Sequence, residues 1–256
     1  MNAPQHPDSI APSPAPVRKS RTDGTDARTH LLQTALRLFS EKGFAKTSIR
    51  EIALAARANM ASISYYFGDK AGLYRAAFTE PMGSASDNIS LYNQPGLTLH
   101  QALGGFFTGF LEPLKQGEMV QLCTRLHFRE MMEPTGLWDE AVDNGIKPAH
   151  NALVDVLAGH LGLSSPDDDL HRLAFSITGL ALQLFVGRDI VHTIRPQLLG
   201  QADAIDQWNE RLVMFASAMV EAETRRRAPK PPLRKRHKPE TRAVAAAAGM
   251  HRLLVA

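Results

Sequence analysis

Apolar residues in the first third of the chain recur every three or four positions, with polar residues filling the gaps. Leu31, Leu32, Ala35, Leu36, Leu38 and Phe39 fall on one face of a helix, the spacing of an element with one side turned inward. Thr25 and Asp26 are capping residue types just ahead of it, so order is expected to begin there, and Gly43 is expected to end it. Thr47 or Ser48 caps a second, short helix carrying Ile49, Ile52 and Ala53. Asn59 caps a third that runs through Ile63 and Tyr66 to Phe67. Gly68 and Asp69 break it and start a fourth, with Leu73, Ala76, Ala77 and Phe78 inward.

Pro81 to Gly96 reads as a loop or frayed helix end. Helical patterns then cover 98–116, 118–132, 137–161, 168–193 and 203–226, separated by Gly117, by Pro134 to Gly136, by Ser164 to Pro166 and by Pro196 to Gly200. No alternating strand pattern and no internal repeat is present, so the fold class is all-α. The expected organisation is a disordered arm over 1–24, a three-helix helix-turn-helix domain over 25–80, a helical bundle over 81–226 and a basic disordered tail over 227–256. Within the tail, Ala243 to Ala248 could form a fragile helix.

Composition narrows the compartment. The chain has 256 residues and 44% hydrophobic content, enough for a sizeable core. Its single cysteine, Cys123, cannot form a disulfide within one chain, which fits a reducing cytoplasm. Met1 to Pro16 lacks the basic start and apolar run of a secretory signal, and no stretch approaches a charge-free membrane span. Cytoplasmic location and no membrane partner follow as expectations.

The net charge of +3 conceals a pattern: residues 28–79 carry +5, residues 80–224 carry −11 and residues 225–242 carry +8. An acidic body flanked by two basic segments suggests that only parts of the surface meet a polyanion; equally, the charge could simply keep the ends solvated.

The stretch from Thr47 to Lys70 decides between those readings. Helix, tight turn and helix is a geometry that places one helix in a major groove. After Asn59 the second helix opens with Met60, Ala61, Ser62 and Ser64, small or polar for the most part. Small side chains let the backbone approach DNA, hydroxyls can bond base edges or phosphates, and apolar groups can touch thymine methyls. Tyr65 and Tyr66 carry hydroxyls that can reach phosphate, and Lys70 opens the next helix, placed for a backbone phosphate. A plain helical hairpin with inward aromatics would share this composition.

The order of residues is more specific than the composition. Leu31 to Phe39 (LLQTALRLF) with Gly43 and Phe44, Thr47 to Ala53 (TSIREIA), and Ile63 to Leu73 (ISYYFGDKAGL) together resemble, without gaps, the N-terminal domain of the tetracycline-repressor (TetR/AcrR) family. The resemblance covers Ala27 to Phe78. It implies that the helix with the tyrosines enters the major groove, and that Thr47, Ser48, Arg50, Ser62, Ser64, Tyr65, Tyr66 and Lys70 contact DNA. It makes Ala35, Phe39, Phe44, Ile49, Ile52, Ala53, Ile63 and Phe67 the core of the small domain. Arg50 could instead only pair with Glu51 or solvent. Two departures stand out. The family's usual turn glycine is Arg57 here, which requires a left-handed arginine or an altered turn. Met60 replaces the lysine or arginine common after the cap. The run from Asn59 to Gly68, and Arg129 to Thr135 (REMMEPT), resemble the subgroup with a CerR-type C-terminal domain.

The larger domain is acidic outside and apolar inside. Phe106, Phe110, His127, Met131, His150 and Gln183 are candidate lining residues for an unidentified small-molecule effector, since aromatic and methionine-rich helices either line a cavity or pack as core. The resemblance implies that such a cavity exists. It also implies that the 168–193 and 203–226 helices pair with their copies in a homodimer, with Gly179, Ala181, Ala216 and Ala218 permitting close approach.

Other classes are disfavoured. The histidines at 100, 127, 150, 160, 171 and 192 are spread over four helices, mostly without close His, Asp, Glu or Cys spacing, and His192 three after Asp189 is a lone pair, so no metal site and no cofactor is expected. No phosphate loop, Gly-x-Ser-x-Gly or His-Glu-x-x-His motif occurs, so no catalytic residue is expected. The expected function is a DNA-binding transcriptional regulator, a ligand-responsive repressor on a palindromic double-stranded operator. The alternative is a sequence-indifferent architectural DNA-binding protein, favoured by the basic tail and opposed by the acidic body and the reading helix.

Overall fold

The computed structural model describes residues 21–201 and 203–229, and among these every regular element is helical. Residues 1–20 of the arm expected over 1–24 and nearly all of the basic tail, including Ala243 to Ala248, lie outside the described residues, while residues 21–24 belong to the first helix.

The first four helices follow the hydrophobic pattern closely. Helix α1 (Arg21–Lys46) begins ahead of Thr25 and Asp26, so those residues are inside the helix rather than its cap. Its regular part ends at Gly43, which takes φ +80°, the left-handed region that a Cβ disfavours. Ser48, not Thr47, caps α2 (Ile49–Ala55), its hydroxyl accepting from the Glu51 amide at 3.1 Å. Asn59 caps α3 (Met60–Phe67) and Asp69 caps α4 (Lys70–Thr79), each by a side-chain oxygen accepting a backbone N–H.

Beyond Thr79 the pattern is subdivided. The stretch read as a loop contains a 3-10 turn over Ala85–Leu91 that precedes the buried Tyr92. Helix α5 (Leu99–Leu111) tightens into a 3-10 turn over Glu112–Gln116, and α6 (Glu118–Met132) matches its expected span. The single helix expected over 137–161 is three pieces: α7 (Leu137–Ala141), a π-helical turn over Val142–Ile146, and α8 (Lys147–Leu161). The 168–193 pattern bends by 69° into α9 (Asp168–Val186) and α10 (Arg188–Ile194). A short α11 (Gln197–Gly200) leads to α12 (Ala204–Arg227).

Packing does not divide the chain at residue 80. One core joins Tyr92 and Leu114 with buried positions of α5, α8, α9 and α12 and with Val120 at the start of α6. The other joins α1 to α4 with Leu122, Cys123 and Leu126 of α6 and Leu137 of α7. Helix α6 is thus a wall of the N-terminal core, although it belongs to the C-terminal pattern. Burial holds the Cys123 thiol up at about 12, an inert side chain in that wall.

Candidate nucleic-acid interface

Helices α2 and α3 present a compact exposed face because Ile52, Ala53 and Ile63 are drawn beneath them into the core with Phe39 and Leu73. Phe44, Ile49 and Phe67 pack at the margin of that core. The turn between the two helices closes at Arg57, whose φ of +51° is the left-handed conformation its replacement of glycine requires. The close approach of α3 to α4 is set by Gly72, where a Cβ would lie 2.0 Å from the Phe67 carbonyl oxygen.

The exposed side chains of α3 are Met60, Ala61, Ser64 and Tyr65, with Tyr65 83% exposed. Ser62 is half-buried beside them. Tyr66 is also half-buried, its ring 5.0 Å from that of Tyr65 and packed against the core. Ser48 and Arg50 stand exposed on α2, and Asn59 is exposed at the head of α3. Lys70 sits at the start of α4 with its ammonium 4.3 Å from the centre of the Phe44 ring, a cation–π contact that fixes its position. Arg50 does not pair with Glu51, which pairs with Lys42 instead, and among the described residues no ion pair holds Arg50 or Arg57.

Thr47 is the one candidate that the structure removes from this face. Its side chain is 1% exposed and its hydroxyl donates to the Gly43 carbonyl at 2.8 Å. It is a staple that ties the end of α1 to the start of α2, because a buried hydroxyl needs an internal acceptor.

The six candidate effector residues do not converge. Phe106 and Phe110 lie in the C-terminal core, in an aromatic group with Tyr92 and Phe185. His127 belongs to α6, stacked on Phe78 of α4 at 4.2 Å, its Nδ1 2.8 Å from the Cys123 carbonyl oxygen. His150 pairs with His171, Nε2 to Nδ1 at 2.9 Å, and stacks on Phe175. Met131 and Gln183 are exposed. These are separate surroundings, so the six residues do not line one cavity here. Among the described residues, no group of three or more His, Cys, Asp or Glu side chains could hold a metal ion, and no single helix is long and apolar enough to cross a membrane.

A linkage that periodicity could not reveal ties α6 to α4. Glu130 is fully buried; one carboxylate oxygen accepts the Tyr74 hydroxyl at 2.8 Å, and the other accepts Thr135 N–H, the Thr135 hydroxyl and Leu137 N–H. Only the quoted resemblance of the Arg129–Thr135 stretch marked it in the sequence.

Two family models match the chain. The model for bacterial regulatory proteins of the tetR family covers residues 31–77, and the model for the C-terminal domain of the HTH-type transcriptional dual regulator CecR covers residues 99–222. The domain type expected above as CerR is therefore the CecR type. The HTH-type transcriptional dual regulator CecR of Shigella flexneri is 26% identical over 179 residues, 66% of this chain and 79% of that protein. The HTH-type transcriptional regulator AcrR of Shigella flexneri is 42% identical over 58 residues, only 23% of this chain and 27% of that protein. A solved structure from Pseudomonas aeruginosa PAO1 has a TM-score of 0.59 at 18% identity, covering 82% of this chain and 98% of its own. A TetR-like transcriptional regulator from Rhodococcus sp. RHA1 has a TM-score of 0.50 at 21% identity, covering 78% and 99%.

Proposed function

The chain belongs to the TetR family of bacterial transcriptional regulators and carries a CecR-type C-terminal domain, and on that premise we propose that it is a ligand-responsive repressor that binds a palindromic operator as a homodimer. The observation that carries this reading is the face of α3. Ala61, Ser64 and Tyr65 are exposed on it while Ile63 is fully buried behind them. A rigidly seated helix with small and hydroxyl-bearing residues outward is a major-groove reader, with Arg50 and Lys70 beside it for phosphates.

Dimerisation follows from unpartnered apolar surface. Helix α9 exposes Phe175, Leu182 and Val186 at helical spacing around the exposed Gly179, and α12 exposes Met214, Phe215 and Ala218. Monomers rarely leave such stripes uncovered, and a two-fold operator needs two reading heads. An effector would act by preferring the arrangement whose two heads no longer match the half-sites. The aromatic group of Phe106, Phe110 and Phe185 is the place it would bind, and His127, stacked on Phe78, lies apart from that group.

The test is selection of bound duplexes from a random DNA pool. The expected result is a two-fold symmetric consensus bound by a dimer. Steep salt dependence without sequence preference would instead support an architectural DNA-binding protein and overturn the regulator reading.

A further inference from the structure

Arg129 and Glu130 are neighbours on α6, yet they reach two different parts of the DNA-reading head. Arg129 Nη2 donates to the Glu41 carbonyl at 3.1 Å, in the last turn of regular helix before Gly43. That carbonyl belongs to the end of a helix, where acceptors lack intrahelical partners and a cation is favoured. Gly43 leaves room for the guanidinium: a Cβ there would lie 3.2 Å from Arg129 Nη1. Glu130, on the next residue, accepts the Tyr74 hydroxyl of α4 at 2.8 Å. Burial and then the Glu130 carboxylate push the Tyr74 phenol's pKa upward, so it stays protonated as the donor.

We infer that the Arg129–Glu130 pair is a clasp that fixes the angle of the reading head, and so sets the half-site spacing that the dimer accepts. The inference rests on the operator-binding dimer proposed above. Helices α2 and α3 lie between the two clasped points, the end of α1 and the middle of α4, so they move only as those points move. A buried carboxylate oxygen that loses its only donor is costly, which makes the docked position steep rather than soft. The other oxygen is held by Thr135 and Leu137, so the same carboxylate also ties the head to the turn between α6 and α7. None of these side chains lies on the exposed face of α2 and α3. They are positioning residues, and their loss should alter geometry rather than contacts.

The experiment uses the full chain as the homodimer. The probe is the palindromic duplex that the wild-type protein selects from a random pool, together with versions whose half-sites are moved one or two base pairs closer or further apart. Tyr74→Phe deletes the donor without changing shape, and it should lower affinity for the best-spaced duplex roughly tenfold while lowering the others less, so that the spacing profile flattens. Glu130→Gln should act in the same direction, and the double variant should lose less than the two losses combined. Amide exchange gives a readout independent of DNA: protection of α4 should fall in Tyr74→Phe while that of α5 is unchanged. If Glu130→Gln fails to fold, Tyr74→Phe carries the test. A folded Tyr74→Phe protein with wild-type spacing profile and wild-type protection of α4 overturns the clasp. Failure of the wild-type protein to select any sequence overturns the operator reading instead, and the exchange measurement still decides the clasp.

Discussion

Phe78 of α4 and His127 of α6 stack with ring centres 4.2 Å apart and planes 21° apart, joining the reading head to the C-terminal domain face to face. Phe78 is 3% exposed and sits in the core shared by α1 to α4 and α6. Phe78→Ala should therefore destabilise by about 3–5 kcal/mol, the range for a buried phenylalanine. Because that core spans both parts of the chain, urea unfolding followed separately in the two parts should show one shared transition, displaced to lower urea. A variant whose reading head melts alone, leaving the C-terminal part unchanged, would contradict the shared core.

His127 makes this contact sensitive to acid. Burial lowers its pKa below the ordinary histidine value, opposed in part by the Cys123 carbonyl and by Glu130. The unfolded chain therefore binds a proton more readily than the folded one, and stability rises with pH in that interval. The His127 contribution is complete above the unfolded value of roughly 6.5 and is lost as pH falls through the depressed folded value. His127→Gln should be less stable at neutral pH but should show a shallower loss between pH 7 and 5. Equal slopes in denaturant titrations of the two proteins would refute the assignment.

The exposed face of α3 separates binding from stability. Tyr65→Ala should shift stability by less than about 0.5 kcal/mol, as expected of an exposed side chain, while weakening binding to every duplex tested. Ser64→Ala should change which bases are preferred, with about 1–3 kcal/mol of discrimination at one position of each half-site. Parallel melting curves and binding profiles of the two variants distinguish these outcomes. A destabilised Tyr65→Ala protein would place that ring in the core instead.

A charge on the α9 stripe should split the proposed dimer without unfolding the protomer, because Phe175 is 63% exposed and Leu182 47% exposed. Phe175→Glu combined with Leu182→Glu should give a monomer by light scattering with unchanged helical circular dichroism. DNA affinity should fall towards that of a single half-site. A double variant that stays dimeric would move the interface elsewhere.

Arg57 holds a left-handed conformation at φ +51° in the turn between α2 and α3. Arg57→Gly should stabilise the protein by about 1 kcal/mol, the cost of left-handed backbone for a residue with a Cβ less the extra chain entropy of glycine. Thermal melting reads this directly, and a destabilised variant would show that the arginine side chain compensates more than the strain.

The sequence by itself determined which residues form helices in the N-terminal domain, and which of them turn inward. Ile52, Ala53 and Ile63 carry the helical period, Ser48, Asn59 and Asp69 are good caps, and these signals act over a few residues, where the chain reads them locally. The same local order made Tyr65 and Ser64 legible as an outward face. Thr47 was misplaced because its fate depends on the Gly43 carbonyl being turned towards it, a contact made only when α1 ends in a left-handed residue. The single helices expected over 137–161 and 168–193 are broken by a π-helical turn containing Gly145 just ahead of Pro148, and by a 69° bend at Gly187, so local breakers inside a continuous apolar pattern were passed over. Only the tertiary structure decided that α6 completes the reading head's core, that Glu130 meets Tyr74, and that the six effector candidates fall in separate surroundings. Periodicity says that a side chain is buried. It carries no information about which distant element buries it, because that choice is made by the packing of the helices against one another.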